Sequence, residues 1–214
     1  MGNTTVLLIR HGDVDSPVDA FIPTLYGPRE PLNDHGKRQI SHIAAQFNKQ
    51  KLIPERIYTS SFERASQAAR ILSETLVNHP MVIAAEGISG AHTPQWDHRP
   101  LTELDRVGDN LFADNPALPD VHGETLPQAY ERVTRAYTNI LESNRGKTVA
   151  IVTHNEIAGM IMHHITHDGK ELPGIGRGVG KGEALVLTVS PEGRLLEMRI
   201  FTPEGPILSK ERAR

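Results

Sequence analysis

Residues 6–9, Val-Leu-Leu-Ile, form an uninterrupted apolar run that stops abruptly at Arg10-His11-Gly12. The run is too short for a helix and two of its four residues are β-branched, so it predicts a buried central strand. Ligands of open α/β sheets gather at the carboxyl ends of strands, where Arg10 and His11 would then lie. Gly12 permits a sharp backbone turn behind them. Taken alone, the tripeptide favours a simpler interpretation, namely the first solvated residues after a core strand.

The same construction, a short strand that ends in basic residues, recurs twice along the chain. Residues 56–59 predict a strand that runs into a helix with Arg64 in its first turn, and residues 147–153 predict a strand that ends at His154. An arginine in the first turn opposes the positive end of the helix dipole, and a bound anion would compensate for this. The alternative for Arg64 is a side chain that points to solvent or pairs with a neighbouring acid. Three strand ends thus carry Arg10, His11, Arg64 and His154.

Together these residues resemble the sequence marks of a known family, the histidine phosphatase superfamily, also called phosphoglycerate mutase-like. Three segments carry the resemblance in the family's order: Arg10-His11-Gly12, residues 60–67 with the pattern Ser-x-x-x-Arg-Ala-x-Gln, and Thr153-His154. The resemblance implies an α/β fold, a three-layer sandwich with a mostly parallel central sheet flanked by helices, phosphoglycerate mutase-like. It also implies that His11 is the catalytic nucleophile and that Arg10, Arg64 and His154 bind phosphate.

A proton donor is expected in the irregular region at about residues 86–122. In the family, a Leu-x-Glu followed by an apolar residue, Asp and a nearby Gly carries this donor, and residues 101–108 resemble that pattern with Glu103 at the donor position. One extra residue precedes the glycine, and the Glu-Gly that usually follows is missing. A surface glutamate without a catalytic role is the alternative. Two further departures are Pro17, where many members have a phosphate-binding asparagine, and Ala68, where they have threonine.

The chemistry that suits this set of side chains is hydrolysis of a phosphate monoester through a phosphohistidine. Such esters hydrolyse very slowly in water, and a covalent intermediate divides the barrier into two steps. A neutral imidazole is a competent nucleophile, and cations around it keep it unprotonated and stabilise the phosphoryl oxygens. Glu103 would protonate the leaving alkoxide and recover the proton from the attacking water. The expected enzyme is a metal-independent, histidine acid phosphatase-like hydrolase without a cofactor.

Three alternatives stay open. A phosphoglycerate mutase-type phosphotransferase would use the same residues, although the chain lacks the arginine-rich and proline-rich insertions of glycolytic mutases. A non-catalytic phospholigand-binding module would keep the pocket without turnover. A metal hydrolase could use His163, His164 and His167, but no carboxylate-and-histidine set elsewhere in the sequence completes such a site. A helix end with exposed cationic side chains is the simpler interpretation of these histidines.

Composition limits the remaining classes of function. A length of 214 residues suits one α/β domain, so residues 1–214 are expected to form a single domain. The net charge of −3 argues against nucleic acid, and the absence of cysteine excludes disulfides and thiolate chemistry. The first residues resemble neither a signal peptide nor a spanning helix, so a cytoplasmic protein without membrane contact is expected. Its expected partner is a small phosphorylated substrate, and a homodimer is a possible assembly.

Capping patterns predict where three helices begin. Asn33 can cap a helix whose apolar residues recur at the spacing of one buried stripe. Ser60 and Glu63 have the spacing of a capping box at the start of the helix that carries Arg64. Thr125 and Gln128 have the same spacing before a helix that reaches about residue 141.

The remaining segments predict loops and a terminal hairpin. Residues 14–31 are polar and lack periodicity, which predicts a loop over the strand ends. The glycine-rich residues 174–182 fit no nucleotide-binding pattern and predict a second, mobile loop. Residues 183–190 and 195–201 predict a β-hairpin at the sheet edge.

Overall fold

The structure is a computed structural model that describes residues 2–15, 30–96, 99, 103, 106, 111–167 and 178–207. The strands are β1 (Thr4–Arg10), β2 (Arg56–Thr59), β3 (Met81–Ala84), β4 (Thr148–Thr153), β5 (Ala184–Val189), β6 (Leu195–Thr202) and β7 (Gly205–Ile207). The helices are α1 (Asp34–Gln50), α2 (Glu63–Thr75), α3 (Leu126–Ser143) and α4 (Asn155–Thr166). Single turns of 3₁₀ helix lie at Glu86–Ile88 and Pro94–Trp96.

The strands form one mixed sheet in the order β3-β2-β4-β1-β5-β6-β7. The first four strands in this order are parallel, and β5, β6 and β7 extend the sheet by antiparallel pairing. The register places Arg10 beside Thr153 and Thr59 beside Val152. The carboxyl ends of β1, β2 and β4 therefore meet at one edge of the sheet, as the three strand-end motifs predict.

Helices cover both faces of the sheet, so β1 is buried on both sides. Val6 and Leu8 pack into a core with α3 and α4, whereas Leu7 and Ile9 pack into a second core with α1 and α2. Alternate residues of a strand point to opposite faces, which is why four consecutive apolar residues are needed here. The predicted α/β sandwich is confirmed, with parallel strands in the half of the sheet that carries the three motifs.

Two of the three predicted helix starts are confirmed. Oδ1 of Asn33 accepts a hydrogen bond of 2.7 Å from the backbone N–H of Gly36 at the start of α1. Thr125 and Gln128 form a reciprocal capping box at the start of α3. Side-chain oxygens thus satisfy backbone donors that lack partners within the helix.

The capping box predicted at Ser60 and Glu63 is wrong. α2 begins at Glu63 with Phe62 as its N-cap residue and without a side-chain cap. Oγ of Ser60 instead lies 2.8 Å from Nε2 of His154, and Glu63 pairs with Arg70. The local pattern failed because a residue distant in sequence uses the serine hydroxyl.

The predicted terminal hairpin is present as β5 and β6, but it does not form the edge of the sheet. β7 adds a further antiparallel strand beside β6. Its three residues, Gly205-Pro206-Ile207, were not recognised because they are few and include a proline. Proline lacks the N–H that a central strand must donate, so it is tolerated in a strand at the edge.

Several predicted features lie partly outside the described residues. The loop at residues 14–31 is described only at 14, 15, 30 and 31, and the glycine-rich loop only at residues 178–182. Much of the region between residues 97 and 110 is also outside, and so is Pro17. In the part of the chain that is described, none of the helices has the length and apolar character needed to cross a bilayer.

Candidate active site

Three side chains predicted to act together lie in contact at the edge where β1, β2 and β4 end. Nε of Arg64 donates a hydrogen bond of 3.3 Å to Nε2 of His11. The rings of His11 and His154 meet edge to face with their centroids 5.1 Å apart. All three residues are buried, and Arg10 directly precedes His11 as the last residue of β1. Arg10, His11, Arg64 and His154 are called the basic cluster below.

The hydrogen bonds of His11 identify its tautomer. Nδ1 lies 2.7 Å from the carbonyl oxygen of Gly12. A carbonyl can only accept, so Nδ1 carries the proton and Nε2 presents its lone pair to the Nε–H of Arg64. Burial, followed by the charge of Arg64, lowers the pKa of His11 from 6.5 to about 3. His11 is therefore a neutral imidazole with an unprotonated Nε2, the form that a nucleophile requires.

Ser60 holds His154 in the same tautomer as His11. The Ser60 hydroxyl is fully buried, accepts a hydrogen bond from the N–H of Phe62 and lies 2.8 Å from Nε2 of His154. Its hydrogen then has Nε2 as its acceptor, which leaves the proton of His154 on Nδ1. Burial, with the charges of His11 and Arg64 adding to it, places the pKa of His154 well below its ordinary value. His154 is thus a neutral hydrogen-bond donor.

Arg10 is fixed by the segment that leads into β5. Its Nη1 donates a hydrogen bond of 3.2 Å to the carbonyl oxygen of Val179. Its Nε is buried and has no hydrogen-bond partner among the described residues. A buried guanidinium donor without a partner is costly. An oxyanion bound at the cluster would supply the acceptor that this nitrogen lacks.

Close backbone packing fixes the turn after His11. A Cβ added to Gly12 would clash with the backbone of Gly36 in α1, and one added to Gly36 would clash with the backbone of Asp13. The N–H of Asn33 also donates to the carbonyl oxygen of Asp13 at 3.0 Å. Glycine at both positions lets the loop after β1 lie directly on the first turn of α1, which holds His11 in place.

The described end of the glycine-rich loop also contacts this turn. The N–H of Gly182 donates to the carbonyl oxygen of His11 at 3.0 Å, and Nζ of Lys181 lies 3.0 Å from Oδ1 of Asp13. Lys181 is also among the charges that lower the pKa of His11, after burial, Arg64 and Arg10. This end of the predicted loop is therefore a support for β1, attached by hydrogen bonds and an ion pair.

The family to which the chain belongs follows from its sequence as well as its geometry. A model of the histidine phosphatase superfamily (branch 1) matches residues 6–197. The chain belongs to this superfamily. The match includes the four residues of the basic cluster, most of β1, all of β2 to β5 and the start of β6.

Individual relatives within the superfamily are distant. Phosphoglycerate mutase-like protein 4 of Arabidopsis thaliana is 23% identical over 157 residues, which cover 71% of this chain and 66% of that protein. The structure of YhfR from Bacillus stearothermophilus is 21% identical with a TM-score of 0.72, covering 90% of this chain and 94% of that one. The alpha-ribazole phosphatase from Shigella flexneri is 18% identical with a TM-score of 0.71, covering 90% and 94%. At these identities the two structures show a shared fold.

Glu103, the predicted proton donor, lies in a different environment. Both of its carboxylate oxygens accept hydrogen bonds from the guanidinium of Arg99, each 2.9 Å long. Within the described residues, no contact joins Glu103 to the basic cluster. Its role in catalysis stays a prediction.

Two residues near the basic cluster were missed in the sequence. Ser60 is part of the recognised motif, but its bond to His154 spans 94 residues of chain and no local pattern reveals it. Glu156 is a buried acid in the first turn of α4, two residues after His154. An acid at a helix N-terminus has an ordinary structural explanation, although its position directly after a motif histidine was a usable signal.

The histidine-rich end of α4 does not form a metal site with other described residues. No group of three or more histidine or acidic side chains in the described ranges is placed to hold a metal ion. The rings of His163 and His167 stack with centroids 4.4 Å apart, and His164 lies against Tyr130 and Tyr137. These contacts are those of packed aromatic side chains.

Proposed function

We propose that this protein is a phosphomonoesterase that acts on a small phosphorylated metabolite through a phosphohistidine at His11. The observation that carries the proposal is the tautomer of His11. Its unprotonated Nε2 faces Arg64, with His154 beside it and Arg10 next to it in sequence. A neutral nucleophile surrounded by donors suits attack on an anionic phosphoryl group.

In the first step, Nε2 of His11 would attack phosphorus while the bond to the leaving oxygen breaks. The Nε–H of Arg64, which donates a hydrogen bond to Nε2 of His11 in the structure, would donate to a phosphoryl oxygen instead. This change of acceptor would free the Nε2 lone pair for attack. Arg10 and the Nδ1–H of His154 would supply further donors as charge builds up on these oxygens. The planar guanidinium groups suit bidentate contact with phosphate better than an ammonium group would.

In the second step, water would attack the phosphohistidine and His11 would leave with its electron pair restored. A carboxyl group is needed to protonate the leaving alkoxide and then to accept a proton from water. Glu103 is the candidate drawn from sequence. The proposed reaction uses no metal, because guanidinium and imidazole donors stabilise the charge.

A mutase-type phosphotransferase is the second candidate, favoured by the likeness to the Arabidopsis mutase-like protein. It would need the same nucleophile but would return the phosphoryl group to a second hydroxyl. The phosphatase named among the similar structures and the absence of the mutases' insertions favour hydrolysis. A cytoplasmic location, a single domain and a homodimer stay predictions.

The test is to trap the phosphohistidine. The protein is mixed with ³²P-labelled substrate chosen from a screen of phosphate release, quenched in base and digested. We expect acid-labile, base-stable label on the peptide that contains His11, and none in His11→Ala. His42→Ala, which removes an exposed histidine of α1, is the matched control and should keep the label.

Labelling and activity measurements together distinguish the alternative functions. A non-catalytic binding module would release no phosphate from p-nitrophenyl phosphate. A mutase would form the label but transfer it to an added acceptor alcohol. A metal hydrolase would lose activity in EDTA. Label that persists in His11→Ala would refute the proposed nucleophile.

A further inference from the structure

Glu30 places a negative charge beside the arginine that contacts the nucleophile. Oε2 of Glu30 lies 3.9 Å from Nη1 of Arg64. Nε of the same guanidinium donates a hydrogen bond of 3.3 Å to Nε2 of His11. One guanidinium group therefore lies between the acid and the nucleophile, and the proposed reaction gives this acid no role.

The position of Glu30 is fixed two residues further along the chain. Leu32 is buried in the core with α1 and α2, and its N–H donates a hydrogen bond of 2.7 Å to Oε1 of Gln67. Gln67 follows Arg64 by three residues in α2, so the two side chains are neighbours on the helix surface. Leu32 also forms a β-bridge with Val14. The segment that carries Glu30 thus lies along the first turns of α2 and beside the loop after β1.

The carboxylate of Glu30 is partly buried. Its side chain is 25% exposed, and that of Arg64 is 9% exposed. Burial raises the pKa of Glu30, and the charge of Arg64 opposes this rise. Salt screens a partly buried charge less than it screens a charge on the open surface. Glu30 therefore acts electrostatically on any group that binds at Arg64.

The basic cluster itself carries two positive charges. His11 and His154 are neutral, so the charge comes from Arg10 and Arg64. The phosphoryl group of a monoester carries about 1.5 to 2 negative charges at neutral pH. This group alone would therefore balance the two arginines.

Acids oppose the positive charge that surrounds the phosphoryl position. Burial lowers the pKa of Arg64, and the charges of Glu156 and Glu30 oppose this effect. Nζ of Lys181, beside the turn after β1, is paired with Oδ1 of Asp13 at 3.0 Å. A carboxylate or a second phosphate on the substrate would thus approach the charge of Glu30 and would find the lysine already paired.

We propose, on the basis of the function proposed above, that Glu30 selects monoesters whose organic part is neutral or cationic. Its carboxylate repels an ester that carries a second anionic group and attracts one that carries an ammonium group. Like charges brought together in a binding site are a general means of rejecting the wrong ligand. At a separation of about 7 Å and an effective dielectric constant of about 20–40, one charge changes the affinity for another by roughly 7- to 50-fold. Phosphoglycerates, which carry a carboxylate, would be poor substrates.

The test uses two pairs of esters that differ in one charged group. 3-Phosphoglycerate has a carboxylate where glycerol 3-phosphate has a hydroxymethyl group. 2-Aminoethyl phosphate has an ammonium group where 2-hydroxyethyl phosphate has a hydroxyl. Phosphate release is measured at pH 8, well above the ordinary pKa of glutamate. In the wild type we expect kcat/KM to favour glycerol 3-phosphate and 2-aminoethyl phosphate over their partners by about tenfold each.

Three variants separate the charge of Glu30 from other effects. Glu30→Gln removes the charge and keeps the shape, so both preferences should fall by about tenfold. Glu30→Asp keeps the charge and should keep most of each preference. Glu74→Gln removes an exposed acid near the other end of α2 and should match the wild type. Each preference is a ratio within one protein, so effects of a substitution on phosphoryl binding cancel. For an ester that is not turned over, its inhibition constant against p-nitrophenyl phosphate replaces kcat/KM.

Other results overturn this role of Glu30. Unchanged ratios in Glu30→Gln would leave the residue as a structural partner of Arg64. A wild type that prefers 3-phosphoglycerate would refute the role whether or not the variants fold. A wild type that hydrolyses p-nitrophenyl phosphate but shows no preference within either pair would keep the phosphatase function and lose the role. A wild type that releases no phosphate from p-nitrophenyl phosphate would refute the phosphatase function, and the role of Glu30 with it.

Discussion

Acid should destabilise this protein through His11. Burial and Arg64 lower the pKa of His11 from 6.5 to about 3 in the folded state, whereas the unfolded chain restores the ordinary value. Between these two values the unfolded chain binds a proton that the folded protein does not, so stability is complete above pH 6.5 and falls as the pH falls towards 3. The free energy of unfolding should lose about 1.4 kcal/mol per pH unit from this group well below pH 6.5, or about 2 kcal/mol between pH 7 and pH 5.

Urea unfolding at pH 7, 6 and 5 measures this loss. His11→Asn removes the group that titrates, so its stability should fall by about 2 kcal/mol less than that of the wild type over this range. His42→Asn, which changes an exposed histidine of α1, should follow the wild type. The pKa of His154 is lowered in the same direction, and burial, its largest cause, remains in both proteins. Parallel losses in the wild type and His11→Asn would refute the view that His11 is held neutral by the fold.

Two further predictions concern how the basic cluster is used and how it is held. Arg64→Ala should lower kcat/KM by about 10²–10³-fold, the range for removal of one oxyanion donor. The loss should be similar on chemically unlike phosphomonoesters, and inhibition by vanadate should weaken. A loss confined to one ester would show that Arg64 contacts the leaving group. Gly36→Ala should cost about 1–3 kcal/mol in urea unfolding, because its Cβ would clash with the backbone of Asp13, and should reduce turnover by displacing His11. Gly2→Ala, which has ordinary space around it, is the control, and full stability in Gly36→Ala would contradict the packing argument.

Much of the fold could be predicted because its signals are local. The four apolar residues of β1 indicate burial on both faces, and the structure confirms that alternate residues enter two different cores. The caps at Asn33 and Thr125 are satisfied by backbone groups within three residues, so a short pattern suffices to find them. The short strand β7 was missed because three residues that include a proline carry little pattern.

The arrangement of the basic cluster could be predicted only in part. Parallel strands that end in Arg10, His11 and His154 had to bring these residues to one edge once the strands were neighbours. The hydroxyl of Ser60 was assigned to a helix cap because its true partner is distant in sequence. Glu156 lies close to Gly90, which belongs to a distant segment, so its burial could not be judged from the sequence.

The position of β1 in the sheet has a consequence for how the protein is made. The strand that carries Arg10 ends long before either of its neighbours in the sheet is synthesised, because β4 begins at Thr148 and β5 at Ala184. At ribosomal rates of about 5–20 residues per second, β1 must wait roughly seven to thirty seconds before either partner exists. An apolar strand without partners is a target for aggregation and for chaperones throughout that interval. The nascent chain cannot assemble its basic cluster until synthesis has passed β4, so no activity should appear before that point.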